Sequence, residues 1–174
     1  AITTALHIAA LYGDLAICQA IIKKLEDTHS QIKNIANPSD NKGRTPLFYA
    51  TQGGHNNIVN LILANTNDAN PRLANGDSLL SQSVKEGNID IFKAILQRVE
   101  DVDVKEEDDS TPLYWAALEG HVEILKLLLE KAKKPNSNKK HGETPLHAAA
   151  RKGHKEICHM IIDKINEANP QDDK

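Results

Sequence analysis

Thr144-Pro145-Leu146-His147-Ala148-Ala149-Ala150-Arg151-Lys152-Gly153-His154 is the stretch that decides how the chain is read, because altered copies of it recur along the sequence. Related stretches begin at Thr4, Thr45, Ser78 and Thr111, and the last four starts are 33 residues apart. Thr45-Pro46-Leu47 and Thr111-Pro112-Leu113 are the closest copies, and Thr4-Ala5-Leu6 and Ser78-Leu79-Leu80 the weaker ones. Nine residues after each start stands a glycine, Gly13, Gly54, Gly87, Gly120 or Gly153, and then Asp14, His55, Asn88, His121 or His154. A period of this length marks supersecondary units that lack a core of their own and bury their apolar faces by stacking.

The local physics of one repeat is readable. A Thr or Ser hydroxyl caps a helix N-terminus, and Pro suits the first turn, where its missing N–H has no partner to lose. The glycine nine residues on suits a left-handed C-cap. Apolar residues then resume at helical spacing, as at Val122, Ile124, Leu125, Leu127, Leu128 and Leu129, which predicts a second, antiparallel helix. Ala9-Ala10, Ala116-Ala117 and Ala149-Ala150 on the first helices would let neighbouring repeats approach closely. Polar stretches at 37–43, 70–76, 103–109 and 136–142 read as projecting turns. Gly43, Gly76 and Gly142 sit two residues before a start, where positive φ is wanted; Asp109 replaces glycine there, and Asp tolerates that conformation better than most residues.

On these residues the chain resembles the ankyrin-repeat family over nearly its whole length. The resemblance implies an all-α solenoid of stacked helix-turn-helix units with β-turn fingers, forming a single domain. The units are expected at about 1–36, 37–69, 70–102, 103–135 and 136–168, with 169–174 opening a further finger or tail. It also implies that fingers and first helices line a concave surface that binds other proteins, and that His7 and His147 brace their turns by hydrogen bonding.

Several places depart from the pattern. The third repeat, Ser78-Leu79-Leu80-Ser81-Gln82-Ser83-Val84, lacks the Pro, the His and the Ala pair, and is expected to be the least stable internal one. Drift and tuning of its polar first helix for a ligand both remain open. Between Ile22 and Asn37 lie eight extra residues, so a longer second helix or a small added turn is expected there, with Leu25, Ile32 and Ile35 as its apolar side and Thr28-His29-Ser30 as a place where it would break. Both ends fall in phase with the repeat, and neither carries a distinct polar cap, as expected of a segment excised from a longer protein.

Composition sets the outer limits. The chain has 174 residues, a formal charge of -3 and aromatics at only 3%, so Leu, Ile, Val and Ala must fill the core. That charge provides no global field for gathering phosphate backbones or anionic lipid. No apolar run approaches a membrane span, no leader opens the chain, and the two cysteines make no disulfide scaffold, so an intracellular, cytoplasmic setting is expected. Cys18 and Cys158 share one repeat position four repeats apart, too far for a bond between them.

Residues that invite a chemical reading have a structural one beside it. His154 and Cys158 lie at metal-ligand spacing, yet His154 fills the position of His55 and His121, and Cys158 that of Val59, Phe92 and Leu125. Phe48, Ser81 and Tyr114 replace His7 and His147 elsewhere, which argues against a shared catalytic base. No phosphate-binding glycine loop, nucleophile elbow or paired metal motif occurs, so the chain reads as no enzyme, with no metal or cofactor.

Charge is distributed in blocks. Residues 100–109 carry seven acidic residues and one Lys, and 131–152 carry seven basic residues and one Glu, on adjacent fingers. The blocks read either as a mutually compensating solvated edge or as a bipolar face that orients a partner.

The expected activity is protein binding on the concave face through Tyr12, Arg44, Gln52, Trp115, Glu119 and Arg151, with a core position as the other reading of Trp115. Scaffolding or targeting within a larger enzyme, channel or effector is the alternative. Nucleic acid or lipid on the 131–152 block is a weaker option, and the chain in isolation is expected to be monomeric.

Overall fold

The computed structural model describes residues 2–28, 37–68, 70–72, 77–137 and 142–168. Among them are α1 (Ile2–Tyr12), α2 (Leu15–Thr28), α3 (Pro46–Gln52), α4 (Asn56–Ala64), α5 (Leu79–Glu86), α6 (Ile89–Leu96), α7 (Pro112–Glu119), α8 (Val122–Lys131), α9 (Pro145–Lys152) and α10 (Lys155–Ala168). They fall into two compact units, Ala1–Val99 with α1 to α6 and Glu100–Lys174 with α7 to α10, each taken by itself below. The fold class is the expected one, all-α and built from helix pairs.

Within the N-terminal unit the pairs stack in order: α3 packs on α1 and α5 on α3, while α4 packs on α2 and α6 on α4. In the C-terminal unit α9 packs on α7 and α10 on α8. First helices of seven or eight residues would not persist alone in water, so their stability comes from this packing. Leu6, Leu47, Leu80, Ile62, Ile95, Leu125 and Leu128 are closed off from solvent in the layers.

The capping chemistry follows the sequence. Thr45, Ser78 and Thr111 each accept a backbone N–H three residues on, from Phe48, Ser81 and Tyr114 at 3.2 Å. Thr144 and His147 form a reciprocal capping box. The five glycines predicted to end first helices all lie at φ between 68° and 82°. Asp109 takes φ 61°, as expected of a residue standing in for Gly43 and Gly142. Gly76 lies outside the described residues.

In the longer first repeat α2 is described over Leu15–Thr28, 14 residues against nine in α4 and 14 in α10, with Leu25 buried; His29 and Ser30 of the expected break lie outside the described residues. Ile32 and Ile35 lie outside the described residues. Ala148 and Ala149 are buried and Ala150 is exposed, with no described helix packed on that side of α9.

The asparagines of the polar stretches were read only as turn formers, and they do more. Asn37 Oδ1 accepts the N–H of Leu47 at 3.0 Å, Asn70 that of Leu80 at 2.7 Å and Asn136 that of Leu146 at 3.3 Å, each from ten residues ahead. Each satisfies an N–H that the first turn of a helix would otherwise leave unpaired. The third repeat keeps this clamp although it lacks Pro and His. Its polar Ser81 and Ser83 are buried, and Ser83 Oγ donates to Leu80 O at 2.7 Å, so these two face the interior rather than a ligand.

Candidate functional site

In the N-terminal unit the finger before α3 is a tight turn in which Gly43 N donates to Asp40 O at 3.0 Å and Asp40 N to Arg44 O at 2.8 Å. Asp40 organises it further: Oδ1 accepts from the N–H groups of Lys42 and Arg44 at 2.8 and 2.9 Å. Its Oδ2 accepts from Arg44 Nε at 3.0 Å and from the Tyr49 hydroxyl at 3.1 Å. The Arg44 guanidinium lies 5.0 Å from the Tyr49 ring centroid, a cation–π arrangement. His7 of α1 ties the next finger down through Nε2 to Arg44 O at 3.2 Å and meets Tyr49 edge to face. That is the bracing role expected of it.

Between α1 and this finger opens a cleft of about 550 Å³ lined by His7, Ile8, Leu11, Asp40, Arg44 and Tyr49, together with Ser39 and Asn41. Its floor is apolar and its wall is a neutralised ion pair. Beside it, α1 leaves Ile8 53% and Tyr12 78% exposed, four residues apart on one helix face.

Desolvation opposes ionisation of Asp40, but the hydrogen bonds from Arg44, Lys42 and Tyr49 outweigh it and bring the carboxyl down to about 2 from 3.8. Burial, followed by the bond to Asp40, pushes the Tyr49 phenol up, so it remains a neutral donor. A carboxylate depressed in the folded state stabilises above its unfolded value and loses that contribution as pH falls through its folded value. The finger is therefore expected to hold at pH 4 and to loosen between about 4 and 2. A carboxyl-detected NMR titration of Asp40 should find its midpoint near 2 and a higher one in Tyr49→Phe; an unshifted midpoint near 3.8 in the parent chain would contradict the network.

The C-terminal unit repeats the finger, with Glu106 N donating to Ser110 O at 2.9 Å and Asp109 N to Glu106 O at 3.0 Å. Trp115 falls between its two readings: it is part-buried and its Nε1 donates to Ser110 Oγ at 3.0 Å. Tyr114 is buried with its hydroxyl donating to Glu143 Oε2 at 2.8 Å. Arg151 is exposed, yet it pairs with Glu143 at 2.7 Å and is held charged by it. Glu119 is exposed at the end of α7, as Gln52 is at the end of α3.

Of the six residues singled out in the sequence, Tyr12, Arg44 and Gln52 thus belong to the N-terminal unit, and Trp115, Glu119 and Arg151 to the other. Only Arg44 lines the cleft. Asp40 was missed, although Asp at the head of Asp-Asn-Lys-Gly is a recognisable turn signal. Missed too was a pairing eight residues apart in which the residue before a start meets one near the helix end: Asp77 with Lys85 at 2.8 Å, and Glu143 with Arg151.

The remaining candidates have structural roles. His55 Nε2 reaches Leu11 O at 3.0 Å, and His154 Nε2 reaches Leu118 O at 3.3 Å, so each ties its repeat to the one before it. Cys18 is buried, and burial with the nearby Asp14 charge pushes its thiol up to about 11, which makes it a core side chain. Asp103 Oδ2 accepts the main-chain N–H groups of Lys133 and Lys134 at 2.8 and 3.1 Å, which ties the acidic stretch to the chain after α8 through backbone amides. Among the described residues no His, Cys, Asp and Glu side chains gather as a metal site requires.

Layered helix pairs, turn fingers, hydroxyl caps and histidine ties are thus all in place, and a family model of ankyrin repeats, in three copies, matches residues 2–75 and 80–172. The chain belongs to the ankyrin-repeat family. It is also 38% identical over 58 residues to the human transient receptor potential cation channel subfamily A member 1; the match covers 33% of this chain and 5% of the channel. Ankyrin repeats generally mediate protein–protein interaction and are typically non-catalytic. Among the described residues no helix is long and apolar enough to cross a membrane.

Proposed function

We propose that this ankyrin-repeat chain is a non-catalytic module that binds a protein partner on the face formed by its fingers and first helices. The observation that carries the reading is the cleft between α1 and the Asp40–Arg44 finger, with Ile8 and Tyr12 uncovered beside it on a braced frame. A rigid wall offering an aromatic anchor, an apolar floor and a neutralised charge pair suits a partner side chain that is apolar and flanked by polar backbone. Gln52 occupies a corresponding position of the second repeat in the same unit and would extend the contact, while Trp115, Glu119 and Arg151 hold corresponding positions in the C-terminal unit and would offer a partner contact there.

The test is partner capture on the immobilised chain followed by affinity measurement with Tyr12→Ala and Glu119→Lys, two exposed positions. Loss of about tenfold or more in affinity for Tyr12→Ala is the expected result. Unchanged binding in both would move the site off this face.

A second reading, in which the module scaffolds or targets a larger protein, is favoured by the similarity to a short stretch of a channel. The residues flanking this sequence in its full reading frame discriminate between the two.

A further inference from the structure

We infer that the fourth repeat receives an arginine side chain of its protein partner at Trp115 and Glu119, as the second repeat already receives an arginine of its own finger. The inference rests on the protein-binding reading above and names the chemistry of the partner. In the second repeat the residue four after the start is Tyr49, and the residue just before the start is Arg44. The Arg44 guanidinium lies 5.0 Å from the Tyr49 ring centroid, while its Nε and Nη2 pair with Asp40 Oδ2 at 3.0 and 2.9 Å. An aromatic ring in that position, with a carboxylate beside it, thus holds a guanidinium in this fold.

The fourth repeat keeps the ring and the carboxylate. Trp115 stands four residues after Thr111, as Tyr49 does after Thr45, and Glu106 stands five residues before Thr111, as Asp40 does before Thr45. The two turns match. Glu106 N donates to Ser110 O at 2.9 Å and Asp109 N to Glu106 O at 3.0 Å, as Asp40 N does to Arg44 O at 2.8 Å and Gly43 N to Asp40 O at 3.0 Å. The arginine is replaced, because Ser110 occupies the position of Arg44. Ser110 is buried and its Oγ accepts the Trp115 Nε1–H at 3.0 Å, while Tyr114 meets the indole edge to face at a centroid distance of 5.7 Å. These contacts fix the ring, which stays part-exposed.

The surroundings favour a cation. Glu119 follows Trp115 by four residues on α7, so both project from one side of the helix, and it is exposed. Leu118 is part-exposed about one turn from the ring and offers a surface to the apolar stem of an incoming side chain. Residues 100–109 carry seven acidic residues against one Lys, which draws positive partners and repels negative ones. Arginine suits the site better than lysine, because its planar, weakly hydrated guanidinium stacks on an indole and pairs with a carboxylate at once. Gln82 and Ala148 hold the ring position in the third and fifth repeats, so neither of those offers the stack.

Trp115 is the chain's only tryptophan, so its indole N–H gives a single NMR signal that reports on the site directly. Titrating the full chain with acetyl-Gly-Gly-Arg-Gly-Gly-amide should shift that signal saturably. The citrulline form of the peptide keeps the shape and loses the charge, and should bind about fivefold or more weaker; so should the arginine peptide to Glu119→Gln. Ser110→Arg puts an arginine of the chain itself where Arg44 stands in the second repeat, and should exclude the peptide. Circular dichroism checks that this variant folds; Glu119→Gln, at an exposed position, carries the test if it does not. An indole signal that stays still, or that moves equally with the arginine and citrulline peptides, overturns the inference. So does undiminished arginine binding by Glu119→Gln or by a folded Ser110→Arg. Any of these results beside partner capture that depends on Tyr12 removes the arginine and leaves the protein-binding reading standing, so the two failures are told apart.

Discussion

Phe92→Ala is expected to cost about 3–5 kcal/mol, the largest single-residue loss in the chain. Among the described residues Phe92 is the largest side chain wholly removed from solvent, and it lies on the inner side of α6, in the position that Cys18 and Val59 fill in the two repeats before it. The third repeat has the weakest framework by sequence: no Pro at the helix start, and Ser81 and Ser83 buried on α5. Two small buried residues on one helix and a large ring on its partner distribute volume differently from the neighbouring repeats. Removing the ring loses its transfer free energy and leaves a void that the stacked layers close only in part. Phe92→Leu keeps most of the volume and should cost less than about 1.5 kcal/mol. Urea unfolding followed by circular dichroism measures both. Amide exchange should also quicken first in α5 and α6, since stability in repeat arrays is a sum of local and nearest-neighbour terms. A loss below about 1 kcal/mol for the alanine variant would show that this ring does not hold the layer together.

Gly120→Ala should be the second most damaging change, at about 2–3 kcal/mol, for two separable reasons. The residue sits at φ 82°, where an L side chain costs about 1–2 kcal/mol. A Cβ there would also fall 2.7 Å from Cε1 of His154, displacing the ring that reaches Leu118 O and forfeiting about 1 kcal/mol more. Gly142 provides the control: it lies at φ 77° with nothing within 4 Å of an added Cβ, so Gly142→Ala should show the backbone cost alone. In a His154→Ala background the penalty at Gly120 should shrink towards that of Gly142. Equal penalties at the two glycines in the parent chain would remove the histidine from the account.

The frame of this protein was largely legible in its sequence, because capping and left-handed turns are local events. Thr45, Ser78, Thr111 and Thr144 act within three residues of themselves, and Asp109 signals its φ by standing where glycine recurs. The recurrence also located the second helices. Contacts that span a loop or a layer were much less readable. The clamp from Asn37 to Leu47 joins residues ten apart through a folded turn, and nothing in the composition of a polar stretch distinguishes a structural Asn from a solvated one. Ala150 shares its sequence position with Ala117 but not its environment, since burial depends on what stacks above it. At the candidate site, position alone nominated Arg44 and Arg151; it did not reveal that Asp40 and Glu143 already engage them.

The asparagine clamp has a bearing on how such a chain can change in length. From Asn37 to Leu47, from Asn70 to Leu80 and from Asn136 to Leu146 the count is the same, so one residue gained or lost inside that window would pull the amide off its helix. The eight extra residues of the first repeat lie between Ile22 and Asn37, ahead of the ten-residue window and not within it. Growth behind the tether and strict economy within it is the pattern that descendants of this sequence should follow.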